Sequence, residues 1–414
     1  MRRFFIISVA LLASLVASAQ ETNVATVVEQ NGTTSIDTQI KALDVRAKKS
    51  EKRLAALEKV RQYAKVTAFM QGEYDYEWLS QTDSKEKTGT SSFYLRRVRF
   101  TIAGDLYRGA KGSKLDYRVY FDLARVKGSN PNPLLDMWIR YQPVKEFGVQ
   151  FGQFKNPITF EASISPAKYD FIDFSYAVCN LAKMGSDDVA GYNVTARDAG
   201  FQVFGGFIHR DGYSIINYNV GVLNGSGINV KDDNKSKDVF AKLTIKPTHD
   251  FALAAYYQWG EANLSSIKNS DSAKWAEYGW NGNAQYVTTH RWGGGFSYDG
   301  KRAFARGEYL GGLTGSLASE GLYVEGGYRH HLPKDLGMMW LGGMVDYFCR
   351  NTFDYIHRDT QNAAVNMRYS ICFGYQPLKH FRFQLAYSLK HNINASATVL
   401  PLQNSLKLMA TASF

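Results

Sequence analysis

Residues 66–78 read VTAFMQGEYDYEW, and apolar and polar side chains alternate through most of this stretch. One face would carry the apolar and aromatic side chains Val66, Ala68, Met70, Tyr74, Tyr76 and Trp78. The other face would carry Thr67, Gln71, Glu73, Asp75 and Glu77. Successive side chains of a β-strand point to opposite faces, so the stretch predicts a strand with one apolar and one polar surface.

The same period of two continues from Tyr63 to Phe414 and divides this part of the chain into sixteen segments. The links between the segments alternate in length. Seven links are short, and most of these contain Pro, Asp or Gly: 107–112, 143–145, 210–212, 247–250, 299–301, 332–335 and 377–379. Longer links lie between them, and the longest are 155–198 and 260–285.

Barrels of the outer membrane join their strands by short turns on the periplasmic side and by longer loops outside. The alternation of link lengths therefore predicts an all-β fold, a sixteen-stranded antiparallel transmembrane β-barrel formed by residues 63–414. An even number of strands places both ends of the barrel in the periplasm.

The N-terminus has the composition of a secretory signal peptide. Two arginines follow Met1, an apolar run follows them, and residues 17–19 (ASA) provide a cleavage site. Removal of residues 1–19 would bring the formal charge from +11 to +9, because two Arg are lost. Residues 20–36 are predicted to be a flexible leader. Together with the aromatic C-terminal residue Phe414, the signal peptide predicts export to the outer membrane of a Gram-negative bacterium.

Residues 37–62 have a helical period instead. Apolar and small residues recur there at spacings of three and four: Ile40, Leu43, Ala47, Ser50, Leu54 and Leu57. This spacing is typical of a coiled-coil seam. Two interpretations remain open, a short oligomerisation stalk in the periplasm and a solvated single helix.

The longest link, residues 155–198, is also rich in aromatic side chains. Loops of this length without secondary structure are uncommon and usually have a function. A sixteen-stranded barrel encloses an aqueous channel, which something must narrow if it is to select solutes. We expect this loop to fold into the bore; an outward cap or a latch between subunits is the alternative.

Basic residues concentrate on the polar faces of the predicted strands. Those faces must line the bore if the apolar faces meet lipid. The candidate residues of an anion pathway are Arg97, Arg99, Arg118, Arg140, Lys242, Arg306, Arg329, Arg350, Arg368 and Arg382. Their excess over acidic residues predicts a positive bore that favours anions. The alternative is that the charges pair with acidic neighbours and stiffen the wall.

Several motifs recur in the order found in a known family. They are RRVRF at 96–100, GQFKNP at 152–157, RDAG at 197–200, and VLNGSG at 222–227 with KDDN at 231–234. Residues 63–414 thereby resemble the phosphate-selective porin O and P family. The resemblance implies a trimeric outer-membrane porin whose third external loop folds inwards and whose arginine and lysine side chains guide anions.

By position, the resemblance assigns Arg97 and Arg99 to an arginine ladder and puts Lys155 where the inserted loop begins. The loop departs from the family pattern in its charge. Residues 155–198 carry four basic and six acidic side chains, a formal balance of 4 − 6 = −2. A constriction selective for phosphate should instead concentrate lysines. A non-selective general porin is therefore the alternative.

Other function classes find little support. No H-E-x-x-H, paired-cysteine or G-x-S-x-G motif occurs, so we expect neither an enzyme nor a metal or other cofactor. Nucleic-acid binding needs an exterior basic patch, whereas the basic residues are predicted to lie inside. The expected partners are small anionic solutes, outer-membrane lipid and lipopolysaccharide, and two further copies of the chain. A scaffold that binds partners or glycans through external loops such as 260–285 is a further alternative.

Overall fold

A computed structural model describes residues 36–79, 89–109, 112–124, 133–184, 196–232, 234–263, 286–352, 365–393 and 402–414. The predicted signal peptide and most of the predicted leader lie outside these residues. Most of the proposed recognition loop 260–285 also lies outside them.

The predicted N-terminal helix forms as α1, Ile36–Tyr63. The chain divides after Val60 into two compact units, so α1 lies almost entirely in the first. Leu43 and Leu54 of the predicted seam are exposed to solvent. Coiled-coil pairing therefore stays a prediction. Among the described helices, none combines the length and apolar character needed to span a membrane.

Sixteen strands follow and close into one barrel. Their bounds are β1 Lys65–Leu79, β2 Thr90–Arg108, β3 Lys114–Asp122, β4 Leu134–Val144, β5 Phe147–Lys155, β6 Arg197–Arg210, β7 Tyr213–Leu223, β8 Asp238–Ile245, β9 Phe251–Asn263, β10 Tyr286–Asp299, β11 Ala303–Thr314, β12 Leu317–His331, β13 Met338–Cys349, β14 Val365–Leu378, β15 Phe381–Ile393 and β16 Leu402–Ser413. Each strand pairs antiparallel with its neighbours in sequence, and β1 pairs with β16. The sixteen-stranded antiparallel barrel is confirmed.

Burial follows the predicted alternation. On β1, Val66, Met70 and Tyr76 are exposed on the outside of the barrel, whereas Gln71 and Glu73 are buried inside it. Hydrocarbon cannot hydrogen-bond with polar groups, so the polar face turns inwards and the apolar face outwards.

One connection differs from its prediction. The strand pattern leaves a seven-residue link between β11 and β12, but Thr314 pairs with Leu317, so Gly315 and Ser316 form a two-residue turn. Gly315 adopts a φ of +56°, which glycine reaches without steric cost and which a two-residue hairpin often requires. The long links therefore do not all form long loops.

The segment between β5 and β6 folds into the bore, as expected, and is called here the inserted loop, residues 156–196. It contains two short helices, α2 Phe160–Ser163 and α3 Tyr176–Leu181. Its buried side chains, among them Tyr169, Phe171 and Val178, pack against inward-facing residues of β11–β13 such as Phe304 and Trp340. The main hydrophobic core of the protein therefore lies inside the barrel, between the loop and the wall.

Candidate ion pathway

The barrel wall departs from strict alternation at Arg96 and Arg97. The pairing of β2 with β1 shifts by one residue beside Gln71. A β-bulge of this kind lets two successive side chains point to the same side. Arg96 therefore bonds Glu73 at 2.5 Å and Asp173 of the inserted loop at 2.6 Å, and Arg97 donates to Gln71 Oε1 at 2.9 Å. Both guanidinium groups lie inside the barrel.

Three further guanidinium groups surround the ring of Tyr120 on β3. Those of Arg99, Arg118 and Arg197 lie 5.7, 4.5 and 5.5 Å from the ring centroid. Attraction between each cation and the ring quadrupole helps to hold three like charges together. Four residues from three strands, β2, β3 and β6, thus form one cationic cluster, which we call the Tyr120 cluster.

Two aspartates partly offset the charge of this cluster. Asp122 accepts from Arg99 at 2.6 Å. Asp136 accepts from Arg197 at 2.5 Å and lies 3.6 Å from Arg118. Arg99 and Arg197 are buried, whereas about a third of the Arg118 side chain is exposed, 37%. Arg118 is therefore the member of the cluster that a solute can reach.

Lys155 lies at the end of β5, next to the same cluster. Its backbone pairs with that of Arg197. Its ammonium group is repelled by the positive charges of Arg97 and Arg99 and attracted by the negative charge of Asp136. Within the described part of the chain, the Lys155 ammonium group forms no hydrogen bond or ion pair. Lys155 and Arg97 thus carry charges that no described carboxylate pairs with directly.

The inserted loop reaches deep into the barrel. Gln71, which lies opposite Thr411 near the end of β16, donates to the Pro166 carbonyl at 3.1 Å. Ala167 packs against the buried group that contains Phe69 and Tyr120. The tip of the loop therefore lies towards the end of the barrel that carries the short turns.

Acidic residues of the wall hold the first turns of both loop helices. The Glu308 carboxylate accepts from the backbone N–H groups of Phe160 and Glu161 at 2.8 and 3.1 Å. Asp346 accepts from Tyr176 N at 2.7 Å. The first N–H groups of a helix have no partner within the helix, so each carboxylate satisfies donors that burial would otherwise leave unpaired.

Asp170 is the most strongly bound residue near the loop tip. Its carboxylate lies 2.8 Å from Arg306 and 2.9 Å from Arg329. The backbone beside it is held as well, because Gln384 donates to the carbonyls of residues 169–171 at 3.0–3.2 Å. Trp340 Nε1 donates to the Asp170 carbonyl at 2.9 Å.

Other predicted pathway residues also bind the loop. Arg382 donates to the Tyr169 carbonyl, and Arg368 donates to the Phe174 carbonyl at 2.6 Å. Lys242 donates to the Pro157 carbonyl at 2.8 Å. With Arg306 and Arg329, five of the eleven predicted basic residues therefore anchor the inserted loop.

The last two predicted residues lie elsewhere. Arg140 pairs with Asp116 at 2.6 Å and stacks on Trp138, with its ring centroid 5.1 Å away. Arg350 was predicted to end a strand, but β13 ends at Cys349 and Arg350 follows it. The strand stops there because Cys349 makes the last pairing with β14, opposite Val365.

The described acidic side chains of the loop are buried or paired with basic residues, whereas Asp187 and Asp188 lie outside the described residues. Among the described loop residues, Glu161 and Asp170 are buried, and Asp173 bonds Arg96 and, at 2.8 Å, Lys407. Burial would raise the pKa of Asp173, but Lys407 and Arg96 lower it well below its usual range. The exposed side chains on this part of the loop are instead Ser163, Ser165 and Lys168.

Sequence reasoning missed Arg96 and Tyr120. The alternation assigns Arg96 to the lipid face, and that assignment was the available signal: an arginine facing lipid is costly, so a bulge should have been suspected. Tyr120 gave no signal as the centre of a cluster, because Arg197 comes from β6, which is distant from β3 in the sequence. Among the described residues, no group of three His, Cys, Asp or Glu side chains could hold a metal ion.

Comparison with solved structures places this fold among outer-membrane channels. The anion-selective porin from Comamonas acidovorans matches with a TM-score of 0.60 and 8% identity over 85% of this chain and 99% of that one. OprB of Pseudomonas putida matches with a TM-score of 0.61 and 11% identity over 86% and 96%. The trimer form of OmpT of Vibrio cholerae matches with a TM-score of 0.55 and 11% identity over 85% and 99%.

At these identities the structures show a common fold alone. No curated protein sequence matches the chain. The family description does match, because residues 66–411 fit the family "Phosphate-selective porin O and P". The chain therefore belongs to the phosphate-selective porin O and P family, and it is a porin of the Gram-negative outer membrane.

Proposed function

We propose that this porin is a passive diffusion channel that prefers anions such as phosphate. The observation that supports this best is the division of its basic residues. Four arginines on β11–β15 pair with the acids and carbonyls of the inserted loop: Arg306, Arg329, Arg368 and Arg382. In contrast, Arg97, Arg118, Arg140 and Lys155 on β2–β5 stay partly exposed. The described loop acids Asp170 and Asp173 pair with basic residues of the wall, which leaves these partly exposed cations as the charges that a solute meets.

The mechanism uses no cofactor and no energy source. Anions enter a positive bore, in which the local anion concentration rises. Beside the Tyr120 cluster they exchange part of their hydration shell for contacts with Arg118, Arg97 and Lys155. A guanidinium group presents paired N–H donors that match phosphate or carboxylate oxygens. Asp122 and Asp136 limit the net charge there, so binding stays weak enough for release.

The test is the double charge reversal Arg97→Glu with Lys155→Glu, because neither side chain has a carboxylate partner among the described residues. Reversing one charge at about 8 Å from a passing anion in water changes the interaction by about 1 kcal/mol, or about fivefold in anion occupancy. We expect the reversal potential in a salt gradient across a planar bilayer to move towards cations.

Lys334→Glu is the matched control, since Lys334 is exposed in the turn after β12, and it should leave the reversal potential unchanged. A wild-type channel without ion preference would support the general-porin alternative. An unchanged potential in the double variant would remove Arg97 and Lys155 from the pathway. Recording with chloride, phosphate and a dicarboxylate would rank the solutes.

We also propose that the chain assembles as a homotrimer, to which α1 contributes a coiled-coil stalk. The support is the trimer form named for the OmpT structure and the exposed apolar side chains Leu43 and Leu54 on α1. Burying such a seam between helices would stabilise a helix that is otherwise covered by little else.

A further inference from the structure

A hydrogen-bonded pair of acids lies under the inserted loop. The Tyr169 hydroxyl contacts the Glu161 carboxylate and lies 2.6 Å from Glu325 Oε2 on β12. All three side chains are buried, with 0–1% of their surface exposed. Glu161 also accepts from Ser175 N at 2.9 Å and from Ser175 Oγ at 2.6 Å.

The protons of this arrangement can be counted. A tyrosine hydroxyl carries one proton and can donate to one carboxylate only. Its contact with the second carboxyl group is then favourable only if that group carries a proton and donates to the Tyr169 oxygen. Two ionised carboxylates would otherwise be held against one hydroxyl in a site buried from solvent, which costs free energy.

Few cations are available to replace this proton. Arg306 lies 2.8 Å from Glu325 Oε1, but it also forms an ion pair with Asp170. The charged and titratable groups packed around the acid pair are Arg306 and Glu308 of β11, Tyr323 of β12, Tyr256 of β9, and Asp170 and Cys179 of the loop. Glu308 and Asp170 add negative charge, so the surroundings favour a shared proton.

We propose that one proton held between Glu161 and Glu325 through Tyr169 locks the inserted loop against the wall, and that its loss at alkaline pH releases the loop and widens the bore. Glu161 and Tyr169 belong to the loop, whereas Glu325 belongs to the wall. The lock thus joins the inserted loop to the barrel wall. The inference rests on the chain being a porin and not on its ion preference.

The direction of the pH effect follows from linkage. Burial, and next the Glu325 carboxylate, raise the pKa of Glu161 to about 8 from a usual value of 4.5. The docked loop therefore binds the proton more tightly than the released loop does. Docking is strongest below pH 4.5 and weakens as the pH rises to about 8. Over this range the released fraction grows by up to about tenfold per pH unit.

The experiment measures the rate at which a Lys-specific protease cleaves the loop of the purified full-length porin in detergent. Cleavage through rare opening reports the population of the released loop when closing is fast. Each rate is divided by that of a free peptide of residues 156–184 at the same pH, which removes the pH dependence of the protease. We expect the ratio for the wild type to rise at least tenfold between pH 6 and pH 8.5.

Glu325→Gln should flatten this rise, because an amide can donate to Tyr169 Oη at every pH. Glu320→Gln is the matched control on the same strand, since Glu320 also accepts from two tyrosines, Tyr309 and Tyr347, but lies away from the acid pair. It should keep the wild-type rise. If Glu325→Gln fails to assemble, Glu161→Gln takes its place.

A flat wild-type ratio would overturn the proposal, as would a rise that persists in Glu325→Gln. A rise lost equally in Glu320→Gln would also overturn it, because the effect would then not belong to the buried pair. None of these outcomes bears on the reversal potential, so the ion preference is tested separately.

Discussion

Removal of the Asp170 charge tests how the inserted loop is held. Asp170→Asn keeps the size of the side chain but leaves Arg306 and Arg329 without the carboxylate that lies 2.8 and 2.9 Å from them. The backbone contacts from Gln384 and Trp340 would remain. The variant therefore isolates the ion pairs from the rest of the loop anchor.

The expected size of the effect follows from burial. Removing one partner of a buried ion pair costs about 3–5 kcal/mol. The lower end applies here, because Arg306 keeps Glu325 at 2.8 Å and Arg329 keeps the exposed Asp299 at 2.6 Å. A loss of about 3 kcal/mol in docking free energy corresponds to a released fraction roughly 150-fold larger.

The assay is cleavage of the loop by a Lys-specific protease at a fixed pH, with mapping of the cut after Lys168 or Lys183. Asp170→Asn should be cut roughly 150-fold faster than the wild type. Asp211→Asn serves as the control, because Asp211 forms an exposed pair with Arg210 on a turn, and exposed pairs contribute little. Equal cleavage rates in Asp170→Asn and the wild type would refute the view that Asp170 anchors the loop.

Two further predictions concern packing and assembly. A Cβ on Gly321 would lie 2.5 Å from Ala177 Cβ of α3, so Gly321→Ala should destabilise the loop by about 1–3 kcal/mol and lower the melting temperature in detergent. Gly343→Ala, whose Cβ would meet nothing closer than 4.0 Å, should leave that temperature unchanged; similar losses in both variants would contradict the packing argument. Light scattering of the solubilised protein should give three times the monomer mass, and deletion of residues 36–60 should weaken the trimer. A monomeric full-length chain would refute the homotrimer, and an unaffected trimer in the deletion variant would refute the stalk.

The barrel was predictable because the sequence pattern that specifies it is local. The alternation in residues 66–78, repeated through sixteen segments, is imposed on every strand by the contrast between lipid and water. The count of strands and the side of the wall that most residues face followed from it, whereas the inward loop was predicted from its length, its aromatic side chains and the width of the bore. The hairpin at Gly315–Ser316 was missed, because the pairing of Thr314 with Leu317 depends on how far two strands extend and not on their pattern.

The chemistry of the bore was only partly predictable. The sequence alone determined that basic residues line the inner face and that the inserted loop carries an acidic excess. Only the tertiary structure decided that Asp170 and Asp173 pair with wall cations, that a bulge turns Arg96 inwards, and that Arg97, Arg118 and Lys155 stay partly exposed. The physical reason is separation along the chain. Alternation is a pattern of neighbouring residues, whereas the ion pairs join side chains that come together only when the barrel closes and the loop enters it.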